Sequence, residues 1–129
     1  MFKKVERTSA DYRRLVDQNN LDTQDHGFPY LNSDRCAQAW ADIYDEVRAT
    51  VKWIGDTRLR QIYALWSETN DRRETGMLEN INGYCVRRAL SHGVLLVGAA
   101  HRKAMLEKVR EQGGAGAPEV SWDLESSLG

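Results

Sequence analysis

The sequence predicts a helix-dominated α/β domain, with four to five helices and one buried strand at residues 94–97. Three observations lead there. Apolar residues recur at three- and four-residue steps over most of the chain. That period breaks at the continuous apolar run Val94-Leu-Leu-Val97, bracketed by Gly93 and Gly98, and a helical pattern resumes directly after it. A short run apolar at every position is the pattern of a strand covered on both faces, whereas a helix at the edge of a core alternates with the helical period.

In chain order, Ser9 can cap a helix over residues 10–18 that sets Tyr12, Leu15 and Val16 on one side. The stretch Asp22–Asp34 gathers turn-formers around Gly27 and Pro29 and reads as an ordered loop anchored by Phe28, Tyr30 and Leu31. Ser33 can cap a long helix to Ile54, because Cys36, Trp40, Ile43, Tyr44, Val47, Val51 and Ile54 share a face; Gly55 then stops it. Asp56 or Thr57 restarts a helix with Leu59, Ile62, Tyr63 and Trp66 on one side. Beyond the polar segment 67–74 lies a pattern through Met77, Leu78, Ile81, Tyr84, Cys85 and Ala89 to His92-Gly93, either the same helix or a new one capped at Asn70. After the strand, His101–Gln112 forms a helix with Met105, Leu106 and Val109 inward. Residues 1–112 thus make one domain, and 113–129 a flexible connector with an extension whose Glu119–Trp122 fits a short second strand.

A strand apolar on both faces needs neighbours to pair its backbone, and this chain offers few. Three resolutions stay open: a second copy or partner chain completes the sheet, the chain is half of a larger α/β fold, or the run belongs to a helix.

Composition narrows the function. With 18 Lys+Arg against 19 Asp+Glu there is no basic excess to favour nucleic acid or an anionic membrane. The apolar run is much shorter than the roughly 18 residues of a membrane span. The charged start MFKKVERTSADYRR lacks a signal-peptide core, which predicts a cytoplasmic protein, and two Cys cannot form a disulfide framework. The common nucleophile, phosphate-loop and zinc signatures are missing.

The chemistry is expected where the strand meets the following helix, at Gly98-Ala-Ala-His101. Small residues there admit a ligand, and the helix end disfavours an imidazolium, leaving His101 neutral to accept a proton or bind a metal. On the preceding helix, Met77, Ile81 and Cys85 make an inward stripe, while Arg73, Gly76, Asn80 and Gly83 share a flank. Each interior glycine costs about 1 kcal/mol against Ala, which suggests close approach by a ligand or backbone. Glu74 reads either as a partly desolvated carboxylate or as a complement to the helix's positive end. Arg87-Arg88 and Arg102-Lys103 read as solvated faces before an anion site, His26 as solvent-facing, and Trp40, Trp53 and Trp66 as packing anchors.

The segment Arg73-Glu-Thr-Gly-Met77-Leu-Glu-Asn80-Ile81, followed by Val94-Leu-Leu-Val-Gly98-Ala-Ala-His101, resembles the C-terminal half of the erythromycin-esterase-like, ChaN-like and TraB/GumN-like superfamily. There a helix bearing Arg, Met and Asn precedes a strand that ends in G-x-x-H. The resemblance spans residues 59–112 and extends to Ser121-Trp-Asp123. It implies an α/β hydrolase-like protein, an esterase or metal-dependent peptidase, with a divalent metal ion as the cofactor it admits. His101 matches the second family His and would be the metal ligand or base. Arg73 matches the helix Arg, and Glu74 stands where the family has Asn or Asp. The catalytic residues implied are His101, Glu74 and Arg73, with Gly98 and Asn80 lining the substrate. The family's first strand-and-His motif has no counterpart in residues 1–58. The competing expectation is a non-catalytic module that assembles with itself or a partner. With His101 at the mouth of a site, His101→Ala is expected to abolish activity and leave the melting temperature nearly unchanged.

Overall fold

The computed structural model describes residues 1–114 and 120–123, and the described residues form a helical assembly with no strand. Its elements are α1 (Phe2–Thr8), α2 (Ala10–Leu31), α3 (Asp34–Ile54), α4 (Thr57–Arg88) and α5 (Arg102–Gly114), with one 3-10 turn at Ala99–His101 leading into α5. The α/β expectation is therefore corrected: the described residues contain no strand and no sheet for a second copy or partner chain to complete. No described helix is long and apolar enough to cross a membrane.

Helix starts are set by local chemistry. Ser9 accepts Tyr12 N–H at 2.9 Å, Ser33 accepts Cys36 N–H at 3.1 Å, and Asp56 accepts Leu59 N–H at 3.0 Å, each satisfying a donor that a helix N-terminus leaves free. Gly55 closes α3 in the left-handed region at φ 72°, as its position after Ile54 predicts.

The proposed loop at 22–34 is instead helical on both sides of a break at Gly27, whose φ of 57° and ψ of −137° lie where only glycine sits comfortably. Pro29 follows two residues later, so its missing N–H falls where the ladder is already interrupted. The polar turn-formers fold back on α2 and α3. Tyr30 donates its hydroxyl hydrogen to Asn19 Oδ1 at 2.8 Å, and Arg35 reaches Asp22 at 2.7 Å. This buried network lets Asn19 and Asp22 be withdrawn from water, and it prolongs the 10–18 helix to Leu31.

Two apolar clusters hold the helices. Val5 of α1, Val47 and Val51 of α3 and Leu59 of α4 form one; Leu78 of α4 with Met105 and Val109 of α5 form the other, with Met77, Leu95 and Trp122 packed against it. The residue of α4 that is fully buried is Leu78, one position away from the predicted Met77, Ile81 and Cys85 stripe. Trp53, expected as a packing anchor, is exposed. Between α1 and α3, Glu46 accepts hydrogen bonds from Ser9 at 2.7 Å and Thr50 at 2.9 Å, so the α2 cap is tied to the middle of α3.

The helix predicted to reach His92-Gly93 ends at Arg88. Ala89 is left-handed at φ 48°, and Leu90 N–H returns to the Cys85 carbonyl at 3.2 Å, the closing bond of a Schellman-type cap. The following Val94–Val97 run is not a buried strand. Val94 is 84% and Leu96 80% exposed, Leu95 packs on the α4–α5 cluster, and no described residue pairs with the run's backbone. An extended segment can leave its N–H and C=O groups to water only by staying at the surface, which is where this one lies. Of the expected second strand, Val120 to Trp122 form no element and Glu119 lies outside the described residues, as do connector residues 115–118.

Leu78→Ala should cost about 2–5 kcal/mol, the range for emptying a closed apolar site. Ser9→Ala should cost about 1–2 kcal/mol by removing a cap. Urea unfolding of both variants checks the order: a Leu78→Ala protein as stable as the parent would show that α5 does not depend on α4.

Candidate functional site

The helical period of α4 places Leu59, Tyr63, Trp66, Asn70, Glu74 and Leu78 in one row, at steps of three and four residues. The ends of the row lie in the two apolar clusters. Between them the row meets α3 through Trp40, Ile43 and Tyr44 and α1 through Phe2. There the helices leave a cavity of about 340 Å³, lined by Phe2, Tyr12, Trp40, Ile43, Tyr44, Trp66, Asn70 and His101. Trp66 meets Phe2 edge to face at 5.3 Å and Tyr44 at 5.2 Å, and Trp40 lies 5.7 Å from Tyr44.

His101 reaches this cavity from the 3-10 turn. Its Nδ1 lies 2.8 Å from Glu74 Oε1 across 27 residues of sequence, with the Glu74 side chain 8% and the His101 side chain 22% exposed. An ionised carboxylate only accepts hydrogen bonds, so with Glu74 in that form the hydrogen resides on Nδ1, and a neutral ring then keeps its lone pair on Nε2, the nitrogen left to a ligand. The desolvated reading of Glu74 is the one realised. It lies far down α4 from the N-terminus, so it complements no helix end.

Other groups complete the polar inventory. Burial, reinforced by the charges of Glu74 and Tyr12, pushes the Tyr44 phenol above its ordinary value, so its O–H stays a donor at neutral pH. Trp40 Nε1 is buried without a hydrogen bond of ordinary geometry, although the weakly accepting Cys36 thiol lies beside it. The hydroxyl of Tyr44 and the amide of Asn70 make no hydrogen bond to described residues. The α5 end is steadied by Arg102 to Asp34 at 2.8 Å and by Lys108 to Asp71.

Of the residues singled out from the sequence, His101 and Glu74 meet. Arg73 and Asn80 do not join them: both are exposed, because neighbouring positions turn about 100° around a helix and carry Arg73 off the Glu74 face. Gly98 caps the 3-10 turn, its carbonyl accepting His101 N–H at 2.9 Å, and it is exposed, outside the cavity. Nor do Gly76 and Gly83 mark a close backbone approach. A Cβ at Gly76 would meet nothing, and one at Gly83 would meet the flexible end of Arg87. As a metal ligand His101 has too little company: among the described residues no three His, Cys, Asp or Glu side chains converge, whereas catalytic zinc sites use three protein ligands. No family model, curated protein or solved structure matches the chain.

The aromatic wall was missed because Trp40 and Trp66 look like ordinary packing residues at helical spacing. The available signal was Asn70 and Glu74, two polar residues continuing the row of Trp66 and Leu78 where apolar ones would be expected.

The Glu74 pairing also gives His101 a structural duty that the sequence reading did not assign it. His101→Ala should cost about 1–3 kcal/mol, the penalty for a buried group left without its partner. Adding Glu74→Gln to it should return part of that loss. Thermal melts of the single and double variants test this, and strictly additive effects would show that the contact carries no energy.

Proposed function

We propose that this chain is a hydrolase-like protein whose catalytic centre is the Glu74–His101 pair at the wall of the aromatic cavity. The observation that carries the reading is the 2.8 Å contact between a buried carboxylate and a ring that also lines a concave, aromatic site. A carboxylate that holds Nδ1–H orients the imidazole and stabilises the charge it gains as a base. Nε2 would take a proton from water as the water oxygen bonds to an ester carbonyl. The same proton would pass to the leaving oxygen as the carbon–oxygen bond breaks. Tyr44 O–H and the Asn70 amide are donors on the same wall, suited to the charge that develops on the carbonyl oxygen. The ligand count among the described residues favours an esterase over a metal-dependent peptidase. Arg73 has no part in this version, since it is exposed off the cavity.

Turnover of short-chain 4-nitrophenyl esters tests the proposal. His101→Gln should lower kcat about 10²–10⁴-fold. Tyr44→Phe should lower it by up to about 10²-fold if its hydroxyl serves the oxyanion. Ester cleavage that is absent in the parent, or unchanged in His101→Gln, overturns it.

A second reading, a module that associates with a copy of itself, is favoured by the apolar surface of Tyr84, Val86, Leu90, Val94 and Leu96, all exposed along the end of α4 and the segment after it. Sedimentation equilibrium should then show a dimer that Val94→Asp with Leu96→Asp converts to monomer. A parent protein monomeric at 100-fold higher concentration than the assay uses removes this reading.

A further inference from the structure

We infer that the cavity is selective for a small organic cation, an alkylated ammonium head attached to a hydrogen-bond-accepting group such as an ester carbonyl. The inference rests on the reading of this cavity as the binding site and names the class of compound it takes.

Three features of the lining lead to this. Five of its eight residues are Phe2, Tyr12, Trp40, Tyr44 and Trp66, and none of the ring pairs is stacked in parallel: Phe2 meets Trp66 at 83°, Tyr44 meets Trp66 at 69°, and Trp40 is tilted 43° from Tyr44. An edge-to-face contact occupies at most one face of one ring, so the set keeps π faces uncovered by each other. Such a wall is electrostatically negative and attracts a cation whose charge is spread over methyl groups. Second, no Lys or Arg is among the described residues that line the cavity, so no permanently cationic side chain is there to hold a phosphate or carboxylate. Third, the charged group directly behind the wall is Glu74, held through His101, and its influence reaches Tyr44. An anion would meet π faces with a carboxylate behind them; a cation is favoured by both.

The polar groups fix the rest of the ligand. Tyr44 O–H is a donor without a partner among the described residues, and the Asn70 amide is a second donor in the same lining. They suit an acceptor a few bonds from the cationic head. At about 340 Å³ the space lies near the lower end of small-molecule sites, which run from about 300 to 1,000 Å³, so it suits a compact compound and not a peptide.

The test is tryptophan fluorescence titration of the full chain with choline, with its neutral isostere 3,3-dimethylbutan-1-ol, and with the anion 3,3-dimethylbutanoate. Choline should bind at least about tenfold more tightly than the alcohol, and the anion more weakly than either. Phe2→Leu, at a position 36% exposed, and Trp66→Leu should each erase most of the cation preference, with circular dichroism confirming retained helix. Trp66→Leu that fails to fold leaves Phe2→Leu as the deciding variant. Equal binding of choline and the alcohol, preference for the anion, or a cation preference unchanged in Phe2→Leu overturns the inference. Choline binding without any ester turnover supports it while removing the hydrolase reading; turnover of neutral esters with no cation preference does the reverse.

Discussion

A carboxylate withdrawn from water has to be compensated, and Glu74, 6% exposed in the middle of α4, has the ring of His101 as its hydrogen-bond partner. That requirement reaches across 27 residues and brings the 3-10 turn back onto α4. The apolar contacts of Leu78 with Met105 and Val109 act in the same direction but are indifferent to small slips. The hydrogen bond is directional, so it selects one register of the C-terminal helix against α4. The placement of His101 beside Tyr44 and Trp66 follows from that choice.

The rest of the architecture prepares for this contact. Glu46 in the middle of α3 holds the start of α2, and Arg35 at the start of α3 holds Asp22, so α2 is fixed on α3 at two separate points. α4 then lies along α3 with its row of inward residues changing from apolar to aromatic to polar and back to apolar. Large flat rings packed at steep angles leave a concavity between them that aliphatic side chains would fill. The cavity is therefore a consequence of which residues face one another at the middle of the helices, between two clusters that close normally.

The surface of the segment after α4 follows a different constraint. Its residues favour an extended chain, yet no described segment offers a ladder of donors and acceptors, so the backbone stays with the solvent and only Leu95 is drawn inward. Exposed Val94 and Leu96 are the cost of that arrangement. The same sequence beside a pairing partner would have buried them, and sequence periodicity cannot distinguish the two situations.

What the sequence determined by itself is local: the caps at Ser9, Ser33 and Asp56, the stop at Gly55, the long amphipathic face of α3 and, of the inward set expected on α5, Met105 and Val109. These depend on side chains within a few residues of the backbone groups they satisfy or on a strict helical period, so no distant contact is needed to predict them. His101 and Glu74 were also legible as chemically capable groups. Their hydrogen bond, the aromatic wall and the absence of a sheet among the described residues were decided by tertiary structure. A carboxylate 27 residues away, a ring from another helix or a missing strand partner leaves no trace in local spacing, because burial and pairing are properties of the neighbours that folding supplies.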